Sequence, residues 1–152
     1  MKLLLGREDV IPDTPDPTFG QTPLGWAAKY GQEGIVKLLL GREDVNPDTG
    51  DLWDDRSPLS WAAGEGHERI VKQLLERKDV NPNTLEWHYS RTPLSLAAQN
   101  GQKGVVKLLL GRGDANSNSP DKYGKTPLKL GTENGHRRVV ELLQARHSRS
   151  IR

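Results

Sequence analysis

The 152-residue chain has no cysteine and eight aromatic residues. The first absence excludes a disulfide framework, a zinc ribbon and a thiol nucleophile, and it fits an intracellular protein, cytoplasmic or nuclear. Charge of one sign is also missing. Lys and Arg number 22 against 20 Asp and Glu, a formal charge of +2, which argues against a dedicated polyanion binder. The longest apolar stretches, such as Leu38 to Leu40 or Val105 to Leu110 with Lys107 inside it, fall far short of a bilayer span. The three leucines after Met1-Lys2 are followed at once by charges, too short for a secretory signal. Leu, Ile, Val and Phe together make 35 of the residues, just above the disordered range, so a thick globular core is not expected.

What is present is a repeat. A tripeptide recurs as Thr22-Pro23-Leu24, Ser57-Pro58-Leu59, Thr92-Pro93-Leu94 and Thr126-Pro127-Leu128, at spacings of 35, 35 and 34 residues. In phase with it runs an apolar block beginning Ile35-Val36, Ile70-Val71, Val105-Val106 and Val139-Val140. Met1 stands 35 residues before Val36, so Met1 to Leu5 reads as the second half of a repeat, and the chain as a cut from a longer array. The boundaries are a partial repeat at 1–15, full repeats at 16–50, 51–85 and 86–119, a C-terminal capping repeat at 120–145, and a basic, disordered tail at 146–152.

Each unit carries helix punctuation. Thr or Ser before Pro supplies an N-cap oxygen, and Pro at the first helical position has no N–H to leave unsatisfied. Gly31, Gly66, Gly101 and Gly135 stand where a left-handed residue closes the helix. A second helix follows, over Glu33 to Leu40 in the first full unit, with Ile35, Val36, Leu38 and Leu39 on one face. Helices of about eight residues lie below the roughly 12–15 needed for independent stability, so the units must stack.

The pattern Gly20-x-Thr22-Pro23-Leu24-x-Trp26-Ala27-Ala28-x-x-Gly31, then Ile35-Val36-x-Leu38-Leu39 and Asp44-Val45-Asn46, resembles the ankyrin repeat. The segment Leu38 to Asp48 is similar in flavour to repeats of long arrays in large fungal proteins. The resemblance implies an all-α solenoid of stacked helix-turn-helix units with projecting β-turn fingers, and a surface of fingers and concave helices that recognises another protein. Departures from the family pattern carry expectations of their own. The histidine common after Thr-Pro-Leu is Gly25, Ser60, Ser95 and Lys129 here, so its loop-to-loop bonds are lost or replaced. Asp55 and Ser90 stand where Gly20 and Gly124 stand in the outer repeats, so altered turns are expected in the two middle fingers.

Catalytic constellations are lacking. His67 and His136 share one repeat slot, His88 lies in a loop and His147 in the tail, none beside a recognisable nucleophile. Gly124-Lys125-Thr126 lacks the leading glycine and strand of a phosphate loop. Arg112-Gly113-Asp114 aligns with Arg7-Glu8-Asp9 and Arg42-Glu43-Asp44, so the integrin-type tripeptide reads as repeat drift. The acidic Asp48, Asp51, Asp54 and Asp55 lack the spacing of a calcium loop and read as a solvated finger. No catalytic residue, cofactor or metal ligand is assigned.

Aromatic placement is more informative. Phe19, Trp53, Trp87, Tyr89 and Tyr123 all fall in the connecting fingers, where polar residues belong, and Trp and Tyr are residue types that carry binding hot spots. Trp26 and Trp61 occupy a slot filled by Leu96 and Leu130 elsewhere, first a packing position, with partial exposure toward the concave side. The reading is a non-catalytic, monomeric protein-binding scaffold. Its partner surface comprises Phe19, Trp53, Asp54 and Asp55, then Trp87, His88, Tyr89 and Arg91, then Tyr123, with Trp26 and Trp61 behind. Alternatives are a targeting or regulatory segment of a larger multidomain protein or enzyme, and a nucleic-acid binder using Lys129, Arg137, Arg138 and the arginine tail. Neither a membrane nor nucleic acid is the expected partner.

Overall fold

Serine or threonine directly before proline starts the first helix of every unit in the computed structural model, which describes residues 11–150. The hydroxyls of Thr22, Ser57, Thr92 and Thr126 accept from the backbone N–H three residues on, at 3.1–3.3 Å, each satisfying one orphan donor of a helix start. The four capped helices are α1 (Pro23–Lys29), α3 (Pro58–Glu65), α5 (Pro93–Gln99) and α7 (Pro127–Glu133). Each is followed within a few residues by an outer helix: α2 (Glu33–Leu40), α4 (Glu68–Glu76), α6 (Lys103–Arg112) and α8 (Arg137–Ser150). The glycine between them takes positive φ, +73° at Gly31 and +81° at Gly66, a conformation that costs any residue with a Cβ.

The inner helices α1, α3, α5 and α7 pack in order on one another, as do the outer helices α2, α4, α6 and α8. The described residues hold eight helices and no strand, an all-α solenoid. Its core is one apolar stripe along the stack. Leu24, Leu59 and Leu94 anchor it from the inner helices, Leu39, Leu74 and Leu109 from the outer ones, and Ala27-Ala28, Ala62-Ala63 and Ala97-Ala98 let the rows approach.

Polar side chains latch each unit to the one before. His67 Nε2 donates to the Lys29 carbonyl at 3.0 Å and His136 Nε2 to the Gln99 carbonyl at 2.9 Å. Gln102 and Asn100 both donate to the Gly64 carbonyl. Along the outer row Arg77 donates to the Leu40, Arg42 and Val45 carbonyls. Arg112 reaches Val80 and Arg146 reaches Leu110 in the same way. These guanidinia bind carbonyls in the last turn of the preceding outer helix, at Leu40 and Leu110, or in the loop that follows it, at Arg42, Val45 and Val80. The lost histidine after Thr-Pro-Leu is partly replaced, since Ser60 bonds its own N-cap Ser57 (3.1 Å), whose hydroxyl lies 2.9 Å from that of Thr84.

Two expectations are corrected. The middle fingers keep the turn of the outer ones: Asp55 (φ +50°) and Ser90 (φ +56°) adopt the left-handed conformation of Gly20 (+62°) and Gly124 (+75°). The chain is not disordered from residue 146, because α8 runs on to Ser150. No proline or glycine interrupts Arg137 to Ser150, and Arg146 ties this stretch to the Leu110 carbonyl at 3.1 Å. The half-repeat read at 1–5 lies outside the described residues.

Candidate functional aromatic groove

An acidic side chain folds each finger. Asp16, Asp51, Glu86 and Asp121 stand 35 residues apart, and each turns inward to collect backbone N–H groups of its own turn. Asp16 accepts from Thr18, Phe19 and Gln21. Asp51 accepts from Trp53 and Asp54, Glu86 from Tyr89 and Arg91, and Asp121 from Tyr123 and Lys125. Asp51 is thus a buried finger cap (8% exposed) and not part of a solvated acidic tip. The Phe19 N–H at 2.7 Å is the strongest influence holding Asp16 below the usual carboxylate range. At Asp121 burial pushes upward, yet the Lys125 and Tyr123 amides and the Arg91 guanidinium together hold it low.

The same acids position the inner tryptophans. Trp26 Nε1 donates to Asp16 Oδ2 at 3.1 Å and Trp61 Nε1 to Asp51 Oδ2 at 3.0 Å, so each indole is fixed half-buried between its inner helix and its finger. In the third and fourth units Leu96 and Leu130 fill that slot, and Asp121 instead takes Arg91 Nε at 3.0 Å. One backbone bond then joins each finger to the next, from Leu52 N to Phe19 O (3.2 Å), Trp87 N to Asp54 O (2.8 Å) and Lys122 N to Tyr89 O (2.8 Å).

Between the first two fingers and the ends of α1 and α3 lies a groove of about 580 Å3. Phe19 and Trp53 line it from the fingers, Trp26, Tyr30 and Trp61 from the inner helices, and Asp54 and His88 from its far edge. Trp26 stacks on Tyr30 at 5.3 Å and meets Phe19 edge-on at 5.8 Å. The Lys29 ammonium lies 4.2 Å from the Trp61 ring centre, 5.4 Å from Tyr30 and 5.7 Å from Trp26. Trp53 keeps 67% of its surface exposed while its Nε1 donates to the Thr18 carbonyl at 3.2 Å.

The remaining predicted residues divide. Trp87 is equally exposed, outside the groove lining. Tyr89 and Tyr123 pair at 6.1 Å, with Lys122 over both rings. Arg91 is a buried strut, bonded to Asp121 and to Gln99 Oε1 and lying 4.5 Å from the Tyr89 ring. Asp55 holds the left-handed turn at its finger tip. Phe19, Trp26, Trp53, Asp54, Trp61 and His88 are brought together. Lys29, Tyr30 and the four finger acids are the additional residues that build the site. The acids carry a signal, a 35-residue spacing beside the 35, 35 and 34 of Thr-Pro-Leu.

Asp54, Glu86 and His88 place one ligand atom each within 4.8 Å of one another, the minimum geometry for a cation. Their chemistry is already spent on finger-to-finger bonding. His88 Nδ1 donates to Asp54 Oδ1 at 2.7 Å. Burial, then the Asp54 carboxylate, push the Glu86 carboxyl up; burial also pushes Asp54 upward, but His88 and Glu86 bring it below its ordinary value.

A family model for ankyrin repeats matches residues 1–86 and 82–150, nearly the whole chain. The chain belongs to the ankyrin repeat family. No curated protein matches the sequence. Ankyrin repeats are in general protein-interaction modules and typically non-catalytic, and this ankyrin stack puts its aromatic groove on the face made by fingers and inner helices. None of its described helices is long and apolar enough to cross a membrane.

Proposed function

We propose that the chain is a non-catalytic scaffold that holds a partner protein against its finger row, with the groove between the first two fingers as the anchor point. One observation carries this reading. Five aromatic side chains converge on a single groove, and Trp53 at its rim remains two-thirds exposed. Interface energy concentrates where aromatic anchors meet a pocket that excludes water. Trp87 and the Tyr89–Tyr123 pair extend the rim along the next two fingers. Arg91 and Asp55 serve the fingers themselves.

The test compares the parent chain with a Trp53→Ala, Trp87→Ala, Tyr89→Ala variant of equal helicity in capture from cell extract. A protein retained by the parent and lost by the variant is the expected result. Single Trp53→Ala then lowers its affinity by about 30-fold, the worth of a 2 kcal/mol anchor. Equal capture by both chains contradicts the reading.

A further inference from the structure

The groove also specifies the chemistry of what enters it. Lys29 carries its ammonium over the rings of Trp61, Tyr30 and Trp26, and no carboxylate of the described residues comes within 4.0 Å of it. The two carboxylates of the groove are engaged elsewhere. Asp51 accepts from two backbone amides and the Trp61 indole, and Asp54 accepts from His88, with Arg56 at 3.6 Å. The charged group left over in this aromatic site is thus the Lys29 ammonium.

The Trp61 ring is already flanked by the molecule's own cations, Lys29 at 4.2 Å and Arg56 Cζ at 4.3 Å, so a partner's lysine or arginine meets like charge there. A carboxylate meets the opposite. It gains an ion pair with an ammonium held against three aromatic rings, a charge complementarity that selects what docks. An apolar side chain beside that carboxylate covers Phe19, Tyr30 and Trp53.

We infer that the groove binds a partner protein segment in which a glutamate or aspartate stands next to a bulky apolar residue, the acid pairing with Lys29 and the apolar side chain seated between Trp53 and the Trp26–Tyr30 stack. This inference rests on the groove being the docking site proposed above, and adds which chemistry it selects.

Randomised peptides displayed on phage and selected on the full chain test it. The enriched peptides are resynthesised and titrated against the parent, Lys29→Met, Lys29→Arg and Trp53→Ala chains, each checked for unchanged thermal unfolding. Met keeps the stem that covers Trp61 and removes only the charge. The expected outcome is an acidic residue adjacent to Phe, Leu or Trp in the enriched set. Lys29→Met then weakens binding about tenfold and Lys29→Arg restores most of it. Replacing the peptide acid by its amide costs the same factor on the parent and little more on Lys29→Met, as a direct pair requires. Enrichment of basic peptides overturns the inference. So does binding that Trp53→Ala abolishes and Lys29→Met leaves intact, although the groove itself then stands. Peptides insensitive to both variants, or no enrichment at all, overturn the inference and the docking site together.

Discussion

Replacing Asp51 with alanine removes the acceptor shared by three donors: the Trp53 and Asp54 amides at 3.1 and 2.9 Å and the Trp61 indole at 3.0 Å. Hydrogen bonds to a charged acceptor are worth about 1.5–3 kcal/mol each when buried. The two amides lie near the finger tip and regain water, so each counts for about half a kcal/mol, while the half-buried indole counts for about 1.5. Returning a buried carboxylate to nothing relieves some desolvation, leaving a net loss of about 2 kcal/mol. In a chain of this size that corresponds to a melting point lower by roughly 4–8 °C. Asp51→Asn keeps one carbonyl oxygen for the amides but turns either an amide group or a shared oxygen toward the indole, and so falls between. Glu43→Ala, at an exposed loop position with no side-chain bond, is the control. Urea unfolding followed by far-UV circular dichroism reads all three. Asp51→Ala within 0.5 kcal/mol of the control refutes the role of the finger acid.

Two further outcomes follow from the same geometry. Ser90 and Asp55 hold positive φ and neither side chain makes a hydrogen bond, so Ser90→Gly and Asp55→Gly each stabilise the fold by about 0.5–1 kcal/mol, the left-handed penalty less the entropy cost of glycine; denaturant midpoints check this, and destabilisation by either contradicts it. Asp16 and Asp121 have folded-state pKa values below the ordinary 3.8, so the stability they supply is present above that value and is lost as pH falls through the lower folded one. Asp16→Asn with Asp121→Asn therefore flattens the fall of the melting point as pH drops below about 4. An acid limb as steep as the parent's would show that other carboxylates set it.

The repeat register was legible because it is written in residues with one mechanical job. Thr or Ser before Pro caps a helix, glycine closes it, and paired alanines let helices touch, and each recurs in phase. The finger acids obey the same period yet hide in a stretch already rich in carboxylates, where Asp51 sits between Asp48 and Asp54 and looks solvated. Glu86 differs from its three aspartate counterparts by a methylene, which further masks the period. The outer-row arginines at 77, 112 and 146 also recur at the repeat spacing, but polar neighbours give the last the look of a tail. Nothing local told that Arg146 would meet the Leu110 carbonyl one unit away. The left-handed turns at Asp55 and Ser90 show a register strong enough to impose the glycine conformation on residues that disfavour it. The groove lay beyond reach for a different reason: the contact of Lys29 with Trp61 joins adjacent repeats, and the slot holds Trp in only two of four copies. Averaging over copies finds the scaffold and erases what is particular to one place on it.

The most direct measurement is site-specific photo-crosslinking in cell extract, with a photoreactive amino acid placed at position 53 on the groove rim in one chain and at Lys72 on the outer helix α4 in another. A discrete crosslinked protein from position 53, absent from position 72 and suppressed in the first chain by Trp26→Ala, is the expected result. Crosslinking from position 72 alone, or equally from both, would contradict the assignment of the aromatic groove as the recognition surface.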